Sequence, residues 1–376
     1  MREVFVLGVG MIKFGRYRDR DVHELAAEAA QLALHDAGMT INDVELMASG
    51  NLFQSMNMIG QRIMQQIGQT GIPVVNVANA CATGSTAFRE AYVAVGSGEY
   101  EVALAIGSEQ MGKAGLLGGG GSGESVEGIL GSGLMPAVFG MAGVEHMRTY
   151  GTTAEHFAKV SVKNHRHSVK NPLSQYQVEV SLEDVVNARM VAYPNTLYMC
   201  CPTGDGAAAA IVGSAEMVKK FGKKPIKVAC SVLTSDPWTP RDLTMPDVNT
   251  LTRNAARLAY ERAGIGPDDL DLVELHDCFA TAELLHYENL GLCTEGEDGR
   301  AVDEGWFEHG GRTPVNVSGG LLSKGHPLGA TGIANIYEVV THLRGEAGDR
   351  QVPNAKVGLA HVIGLGSACT IHILTA

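Results

Sequence analysis

The sequence predicts an α/β protein built from two similar halves. A segment near residue 30 recurs near residue 256, and strand-like segments alternate with amphipathic helices along the chain. The chain has 376 residues, which is more than one simple domain usually needs. We therefore expect an N-terminal half over residues 1–245 and a C-terminal half over residues 246–376.

The internal repeat relates residues 29–46 to residues 255–272. Both copies have the pattern of an amphipathic helix that ends at an Ala-Gly cap and continues through a short turn into a strand. A second similarity relates residues 75–77 to residues 315–317. We interpret both as traces of a gene duplication. The first-copy residues that are identical in the second are Ala29, Ala30, Leu32, Ala33, Ala37, Gly38, Asp43 and Leu46.

Strand patterns occur in both halves, and helices between them predict sheets covered by helices on both faces. The helix that follows Cys81 is rich in small residues, so we expect it to be buried between two sheets. The predicted strands are residues 4–8, 74–77, 102–106, 226–232, 272–275, 315–317 and 369–374.

The first half carries an extra segment, residues 112–200, with no counterpart in the second half. It contains the glycine-rich residues 118–123 and a basic tract over residues 159–170. Long insertions of this kind are typically lids or linkers, and we expect a loop domain over the active site.

Composition excludes several classes of function. A net charge of −12 argues against a nucleic-acid surface. The N-terminus lacks the apolar core of a signal peptide, and no apolar run is long enough to span a bilayer, so we expect a cytoplasmic protein that uses no membrane. The seven cysteines include no Cys-x-x-Cys pair, which indicates free thiols in a reducing compartment.

Cys81 is the first candidate for chemistry, because it follows a predicted strand and opens a helix. Free N–H groups and the macrodipole at a helix N-terminus stabilise a thiolate. The backbone N–H of Cys81 can also point at an oxyanion formed beside it. The alternative is a small cysteine that is buried for packing alone.

His326 lies in the segment Gly-His-Pro-Leu-Gly-Ala-Thr-Gly, residues 325–332. Glycine and proline on either side hold the ring at a fixed angle and let it approach a substrate. The ring could then activate a thiol or donate a hydrogen bond to a thioester oxygen. The alternative is an ordinary histidine in a turn.

His276 and Cys278 follow the strand predicted at residues 272–275. Alternation along an extended chain places both side chains on one side, at the carboxyl end of a strand, where α/β active sites form. A His-x-Cys pair could also supply two zinc ligands. No second pair with metal-site spacing accompanies it, so we predict no metal.

The basic tract offers Lys163, Arg166 and Lys170 as ligands for an anionic carrier such as coenzyme A. The alternative is a solvated helix face. Residues 118–123 lack the Lys-Ser/Thr that completes a Walker loop, so they indicate a lid or a loop that contacts a partner.

In their order along the chain these motifs resemble the thiolase superfamily, and within it the thiolases of the sterol-carrier-protein type. The resemblance rests on the Gly-His-Pro segment, the segment around Cys81, the His-Asp-Cys-Phe segment that starts at His276, and the tract over residues 163–172. It covers essentially the whole chain. It implies duplicated βαβαβαββ halves in five layers, α-β-α-β-α, with an inserted loop domain.

The resemblance also implies roles for these residues. Cys81 would take the acyl group as a thioester, and His326 would activate it and contribute to an oxyanion hole. His276 stands where most thiolases place an asparagine that holds a water for a second oxyanion contact. Cys278 would move a proton to or from the α-carbon of the leaving enolate.

One departure concerns the turn before the last strand, where thiolases carry an acid/base cysteine in a Cys-x-Gly motif. Here His361 occupies the approximate position, and Cys369 lies inside the strand, where we expect only packing. Cys278 would supply the missing thiol. Backbone N–H groups of Ile363 and Gly364 would complete the oxyanion hole with that of Cys81.

The implied function is a CoA-dependent thiolase that cleaves or forms a 3-ketoacyl-CoA, with coenzyme A as co-substrate and no bound cofactor. Two alternatives stay open: a retro-aldol lyase that acts on a β-hydroxyacyl-CoA, and a non-catalytic subunit that binds acyl-CoA or lipid. The resemblance further implies a homodimer or tetramer, and a small OB-fold and zinc-ribbon protein as a partner.

Overall fold

Strands and helices alternate along the chain, as expected for an α/β protein. The computed structural model describes residues 1–112, 134–221, 224–236 and 249–376. The strands in these ranges are Val4–Met11 (β1), Leu46–Gly50 (β2), Val74–Val77 (β3), Val102–Gln110 (β4), Met190–Ala192 (β5), Asn195–Thr196 (β6), Asp205–Ser214 (β7), Ile226–Thr234 (β8), Leu272–Glu274 (β9), Val357–Gly364 (β10) and Ala368–Thr375 (β11).

Helices separate most of these strands. The α-helices in the described ranges are Val22–Ala37 (α1), Ile59–Ile67 (α2), Thr83–Ser97 (α3), Met135–Tyr150 (α4), Ala154–Ser168 (α5), Leu182–Asn187 (α6), Ala215–Val218 (α7), Asn249–Ala263 (α8), Ala280–Asn289 (α9), Asp298–Asp303 (α10) and Leu328–Arg344 (α11). None of these helices combines the length and the apolar character that crossing a bilayer requires.

The main sheet has two parts. Its strand order is β3-β2-β4-β7-β1-β8-β11-β10-β9, and β5 and β6 form a separate hairpin. Few residue pairs join the two parts of the sheet. Strand β1 pairs with β8 only through Phe5 with Lys227 and Val6 with Ile226. A five-stranded N-terminal part therefore meets a four-stranded C-terminal part.

Helices cover both faces of both parts, which gives five layers. Leu104 and Ile106 of β4 face one way and pack with α1 and α2, whereas Ala103 and Ala105 face the other way and pack with α3 and α11. The central helices also contact β10, and α8 and α9 cover the far face of the second part. The predicted α-β-α-β-α arrangement is confirmed.

Small residues let the two central helices approach closely, as predicted for the helix after Cys81. A Cβ added to Gly84 of α3 would lie 2.5 Å from the carbonyl oxygen of Gly329 in α11. A Cβ added to Gly332 would overlap the hydroxyl of Ser85. No larger side chain fits at either glycine unless the helices separate.

The internal repeat appears as matching elements. Helices α1 and α8 both end at a glycine in the left-handed conformation, Gly38 at φ +69° and Gly264 at φ +66°, and each is followed by a turn and a strand. The prediction for residues 315–317 is wrong in part. Val315 forms an isolated bridge with Val273, and Asn316 at φ +53° interrupts the extended chain.

Strands β5, β6, β7 and β10 were not among the predicted segments, whereas β2 begins at Leu46, where the repeat predicts a strand. Strand β7 reads Asp-Gly-Ala-Ala-Ala-Ala-Ile-Val-Gly-Ser, and alanine and glycine are poor strand formers. It becomes a strand because it is paired on both sides, with β4 and with β1, and is buried throughout.

The predicted insertion lies between β4 and β7 and contains α4, α5, α6 and the β5–β6 hairpin. The glycine-rich residues 118–123 lie outside the described residues. Strand β8 precedes residue 246 but pairs with β11, so the hydrogen-bonded sheet of the C-terminal half begins ahead of the predicted boundary.

Candidate active site

Cys81 lies in a tight turn between β3 and the start of α3. Ala80 has φ +47°, a left-handed conformation that costs a non-glycine residue of the order of 1 kcal/mol. Thr83 stabilises the turn, because its hydroxyl donates to the carbonyl of Ala80 at 2.6 Å and accepts from the N–H of Asn79 at 2.7 Å. The turn places the thiol at the N-terminus of the central helix α3.

The thiol of Cys81 is protonated at neutral pH. Burial raises its pKa to about 12, and the nearby carboxylate of Glu109 acts in the same direction. The stabilisation of a thiolate expected at the helix N-terminus is therefore outweighed by desolvation. A base must take the proton when the thiol reacts.

His326 is held as a neutral base. Its Nδ1 lies 2.7 Å from Oγ1 of Thr331, and that hydroxyl donates its own hydrogen to the carbonyl of Pro327 at 3.0 Å. Nδ1 must then be the protonated nitrogen, and Nε2 carries a lone pair. Nε2 is buried and has no hydrogen-bond partner among the described residues, and burial lowers the pKa of the ring.

Cys81, His276 and His326 converge on one point. Sγ of Cys81 and one ring nitrogen of each histidine lie within 4.8 Å of one another, and the two rings meet edge to face with centroids 5.2 Å apart. Burial lowers the pKa of His276 to about 3, and neither of its ring nitrogens has a partner in the described part of the chain. One thiol and two imidazoles are also donors that Zn²⁺ accepts.

His361 lies behind His276. Its Nδ1 accepts from the backbone N–H of His276 at 3.5 Å, and its ring meets that of His286 with centroids 4.5 Å apart. Burial lowers the pKa of both rings, so both are neutral. His361 therefore occupies the interior next to the site and supports the main chain at His276.

Cys278 faces a second thiol that the sequence motifs did not single out. The N–H of Cys201 donates to the carbonyl of Cys278 at 3.0 Å, and Cys200 forms an antiparallel bridge with Phe279. Cys201 and Cys278 therefore lie opposite each other on two extended segments. Burial raises the pKa of both thiols, and the charges of Cys81 and of the opposing thiol add to the effect. Cys201 is therefore a second thiol beside the His-Asp-Cys-Phe segment.

The buried side chain of Asp277 anchors the His-Asp-Cys-Phe segment. Asp277 accepts from the N–H of Leu321 at 2.7 Å and of Leu322 at 3.2 Å, and from Nδ2 of Asn164 in α5 at 2.8 Å. Helix α5 of the insertion is thereby bonded directly to the segment that carries His276 and Cys278.

Lys163 has a structural contact, which corrects the expectation that it binds coenzyme A. Its Nζ is buried, lies 2.5 Å from a carboxylate oxygen of Glu283 and donates to the carbonyl of Val315 at 2.8 Å. Nδ2 of Asn316 and the hydroxyl of Tyr287 donate to the same carboxylate. A buried, paired ammonium is not available to a phosphate.

Arg166 and Lys170 line a separate cavity of about 440 Å³. Arg166 is paired with Glu308 at 2.5 Å, and Nζ of Lys170 lies 3.5 Å from the carbonyl oxygen of Asp349. None of Cys81, His276, Cys278 or His326 lines this cavity.

A larger cavity of about 730 Å³ adjoins the thiols. Cys201 and Phe279 form part of its wall, and the guanidinium groups of Arg16 and Arg189 lie in its lining on exposed residues. None of Cys81, His276, Cys278 or His326 is in this lining, and Phe279 connects the cavity to the His-Asp-Cys-Phe segment. Its apolar lining includes Tyr176, Val178, Val180, Val191, Leu197, Tyr198, Phe279 and Leu322.

The end of β10 abuts the turn that carries Cys81. A Cβ added to Gly364 would lie 2.5 Å from the carbonyl oxygen of Asn79 and 3.3 Å from the backbone nitrogen of Ala82. Ile363, the preceding residue, pairs with Cys369 of β11. The backbone at residues 363–364 is therefore near the thiol, and Cys369 lies inside the sheet.

Two family models match the sequence that forms this duplicated five-layer fold, with its cysteine at a helix N-terminus. "Thiolase, N-terminal domain" matches residues 4–188, and "Thiolase C-terminal domain-like" matches residues 238–376. The chain belongs to the thiolase family.

Relatives within this family are similar along nearly the whole chain. Sterol carrier protein 2 of Rattus norvegicus is 46% identical over 98% of this chain and 71% of its own length. Acetyl-CoA acetyltransferase of Methanothermobacter thermautotrophicus is 40% identical over 100% of both chains. Among solved structures, the Ltp2-ChsH2(DUF35) aldolase superposes with a TM-score of 0.85 at 24% identity, covering 100% of this chain and 98% of that one.

Proposed function

We propose that the protein is a CoA-dependent thiolase that cleaves or forms a 3-ketoacyl-CoA through an acyl group on Cys81. One observation carries this proposal: a ring nitrogen of His326 and the thiol of Cys81 lie within 4.8 Å in the same buried cluster, and Nε2 of that ring has no hydrogen-bond partner among the described residues. A neutral imidazole with a free lone pair can take the proton of the buried thiol as the sulfur attacks, so that no free thiolate has to form first.

In the cleavage direction, Nε2 of His326 takes the proton of Cys81, and the thiolate attacks the 3-keto carbon. Backbone N–H groups of Cys81, Ile363 and Gly364 would stabilise the oxygen of the tetrahedral intermediate, and one good donor lowers such a barrier by about 3 kcal/mol. The carbon–carbon bond then breaks, and the two-carbon thioester leaves as an enolate.

Proton transfer at the α-carbon is the role we assign to Cys278. Its thiol gives its proton to the enolate and becomes a thiolate. It then takes the proton of the incoming coenzyme A, whose sulfur attacks the acyl-Cys81 thioester. The thiolate of Cys81 leaves and takes back the proton that His326 has held since the first step. His276 and protonated His326 would donate to the oxygen of the departing thioester. Atoms and protons balance after one turnover.

The cavity of about 730 Å³ favours a bulky acyl group as the substrate. Its lining also offers coenzyme A cations other than the predicted Lys163, Arg166 and Lys170. Its wall is apolar next to Cys201 and Phe279. Neither Arg16 nor Arg189 forms an ion pair with another described residue. We propose that these two arginines contact the phosphates of coenzyme A, in place of Lys163.

Two assemblies belong to the proposal. Strand β3 is the edge of the main sheet, and Val75 on it is 38% exposed, which supports a homodimer formed through this edge. The Ltp2-ChsH2(DUF35) aldolase, which has the same fold, pairs its thiolase-like chain with a DUF35 protein. We also propose a small partner protein of that kind for this chain. Co-purification with the proteins encoded beside it tests this proposal.

Product analysis tests the proposed reaction. Purified protein is incubated with coenzyme A and a panel of 3-ketoacyl-CoA esters, straight-chain and aromatic, beside a Cys81→Ser variant. We expect acetyl-CoA and the shortened acyl-CoA from the unaltered protein and none from the variant. Release of an aldehyde or ketone from β-hydroxyacyl-CoA in both proteins would identify a retro-aldol lyase. Binding of the esters without any product would identify a binding subunit.

A further inference from the structure

A second buried cluster of metal-binding side chains lies outside the active site. Nε2 of His146 in α4 is 3.3 Å from Oε1 of Glu288 at the end of α9 and 3.3 Å from Oδ2 of Asp298 at the start of α10. The three side chains are at most 3% exposed. The proposed thiolase reaction uses none of them.

Two carboxylates of this cluster face one imidazole nitrogen. Glu288 and Asp298 accept backbone N–H bonds from Gly296 at 2.5 Å and Gly299 at 2.6 Å. Oδ2 of Asp298, which lies 3.3 Å from Nε2 of His146, has no hydrogen-bond partner among the described residues. A cation between the imidazole nitrogen and the two carboxylates would offset their buried negative charge.

We propose that His146, Glu288 and Asp298 bind a divalent transition-metal ion, with Nε2 and one oxygen of each carboxylate as ligands. Ligand atoms at 2.0–2.2 Å from a tetrahedral metal lie about 3.3–3.6 Å apart, which matches both nitrogen–oxygen separations in this cluster. One imidazole with two carboxylates suits Zn²⁺, Fe²⁺ or Mn²⁺, whereas Mg²⁺ and Ca²⁺ prefer oxygen ligands alone.

Such an ion would act as a structural clamp. It would join α4 of the insertion to the end of α9 and the start of α10, and α9 begins two residues after Cys278. Phe139 of α4 also stacks on Phe279 with ring centroids 5.0 Å apart, so the same helix already contacts the His-Asp-Cys-Phe segment. The ion would stabilise the packing behind the catalytic thiol without contacting substrate.

The test measures metal content and stability on the full chain, produced without a metal-chelating tag. The protein is stripped with a chelator, titrated with Co²⁺ and then with Zn²⁺, and analysed by absorption and by elemental mass spectrometry. We expect one equivalent bound, visible cobalt absorption without a thiolate-to-cobalt charge-transfer band, and a higher Tm. Asp298→Asn should abolish binding, and Cys81→Ser should leave it unchanged.

Other outcomes would overturn the proposal. No stoichiometric metal and no change of Tm in the unaltered protein would mean that a proton alone lies between the three side chains. A charge-transfer band that disappears in Cys81→Ser would move the ion to the Cys81, His276 and His326 cluster. The titration of the unaltered protein decides the question even if Asp298→Asn fails to fold. Metal content and Tm do not depend on whether the thiolase reaction is correct.

Discussion

Oγ1 of Thr331 lies 2.7 Å from Nδ1 of His326 and at the same time donates to the carbonyl of Pro327. This arrangement fixes the tautomer of the imidazole and leaves Nε2 without a hydrogen-bond partner among the described residues, in a ring that lies close to the thiol of Cys81. A single hydroxyl therefore decides whether the ring acts as a base, although it does not contact the substrate.

Replacement of Thr331 by valine should lower kcat by about 10- to 100-fold, because the ring loses the acceptor that selects its tautomer. Thr341→Val is a matched control: the same residue type on the same helix donates to the carbonyl of Tyr337 at 2.7 Å, away from the site. Both variants should lose about 1 kcal/mol of stability. Equal kcat values in steady-state assays of the two variants would contradict a positioning role for Thr331.

Alkylation of Cys81 should accelerate with pH and show no plateau near neutrality. With a pKa of about 12, the thiolate fraction is small at pH 7 and rises about tenfold for each unit up to pH 10. The rate of labelling by iodoacetamide, followed by mass spectrometry of the Cys81 peptide, measures this. A rate that is already constant from pH 7 would show that the resting enzyme holds a thiolate–imidazolium pair instead.

Cys278→Ala should separate acyl transfer from proton transfer. Exchange of the methyl protons of acetyl-CoA in D₂O, followed by NMR, should fall by about 10²- to 10⁴-fold because the acid/base thiol is gone. Acylation of Cys81 by a simple acyl-CoA should persist. Cys369→Ala is the control, since that thiol is buried in β11 and should affect only stability. Unchanged proton exchange in Cys278→Ala would assign the acid/base role elsewhere, with Cys201 as the next thiol to test.

Lys163→Met should destabilise the fold without altering the KM for coenzyme A. Removal of one partner from a buried ion pair leaves the carboxylate of Glu283 uncompensated and costs about 3–5 kcal/mol. Arg166→Gln, which breaks an exposed pair with Glu308, should cost less than about 1 kcal/mol. Urea unfolding measures both. A stable Lys163→Met protein with a raised KM would restore Lys163 as a ligand of coenzyme A.

Arg16→Gln and Arg189→Gln should raise the KM for CoA thioesters several-fold at an unchanged kcat. The effect should vanish when the substrate is the N-acetylcysteamine thioester of the same acyl group, which lacks the phosphates. Arg166→Gln serves again as the control because it lines the other cavity. An effect that persists with the truncated thioester would mean that the arginines contact the acyl group.

The five layers were implied by the family resemblance. Sequence periodicity was sufficient for the repeat, because α1 and α8 carry the same apolar spacing and the same glycine cap. It was insufficient for β7, whose alanines become a strand only between two partners. Residues 315–317 show the opposite case: their strand-like pattern yields one bridge, since Asn316 turns the chain to reach Glu283.

The site was predictable where a local motif carries the chemistry and not where tertiary packing decides it. Cys81, His276, Cys278 and His326 stand in recognisable segments, and the first, second and fourth do converge. The buried ion pair of Lys163 depends on α9, which is far away in sequence. The position of Cys201 opposite Cys278 depends on pairing between two distant extended segments, and the only local signal was the Cys-Cys-Pro sequence at residues 200–202.

The central claim is that the acyl group passes through the thiol of Cys81. The most direct measurement is mass spectrometry of the protein quenched during incubation with a 3-ketoacyl-CoA in the absence of free coenzyme A. We predict a mass increase of one acyl group, located on the Cys81 peptide, which disappears when coenzyme A is added and never forms in Cys81→Ser. Turnover to acetyl-CoA without any acyl group on Cys81, or with the same adduct in Cys81→Ser, would contradict the claim.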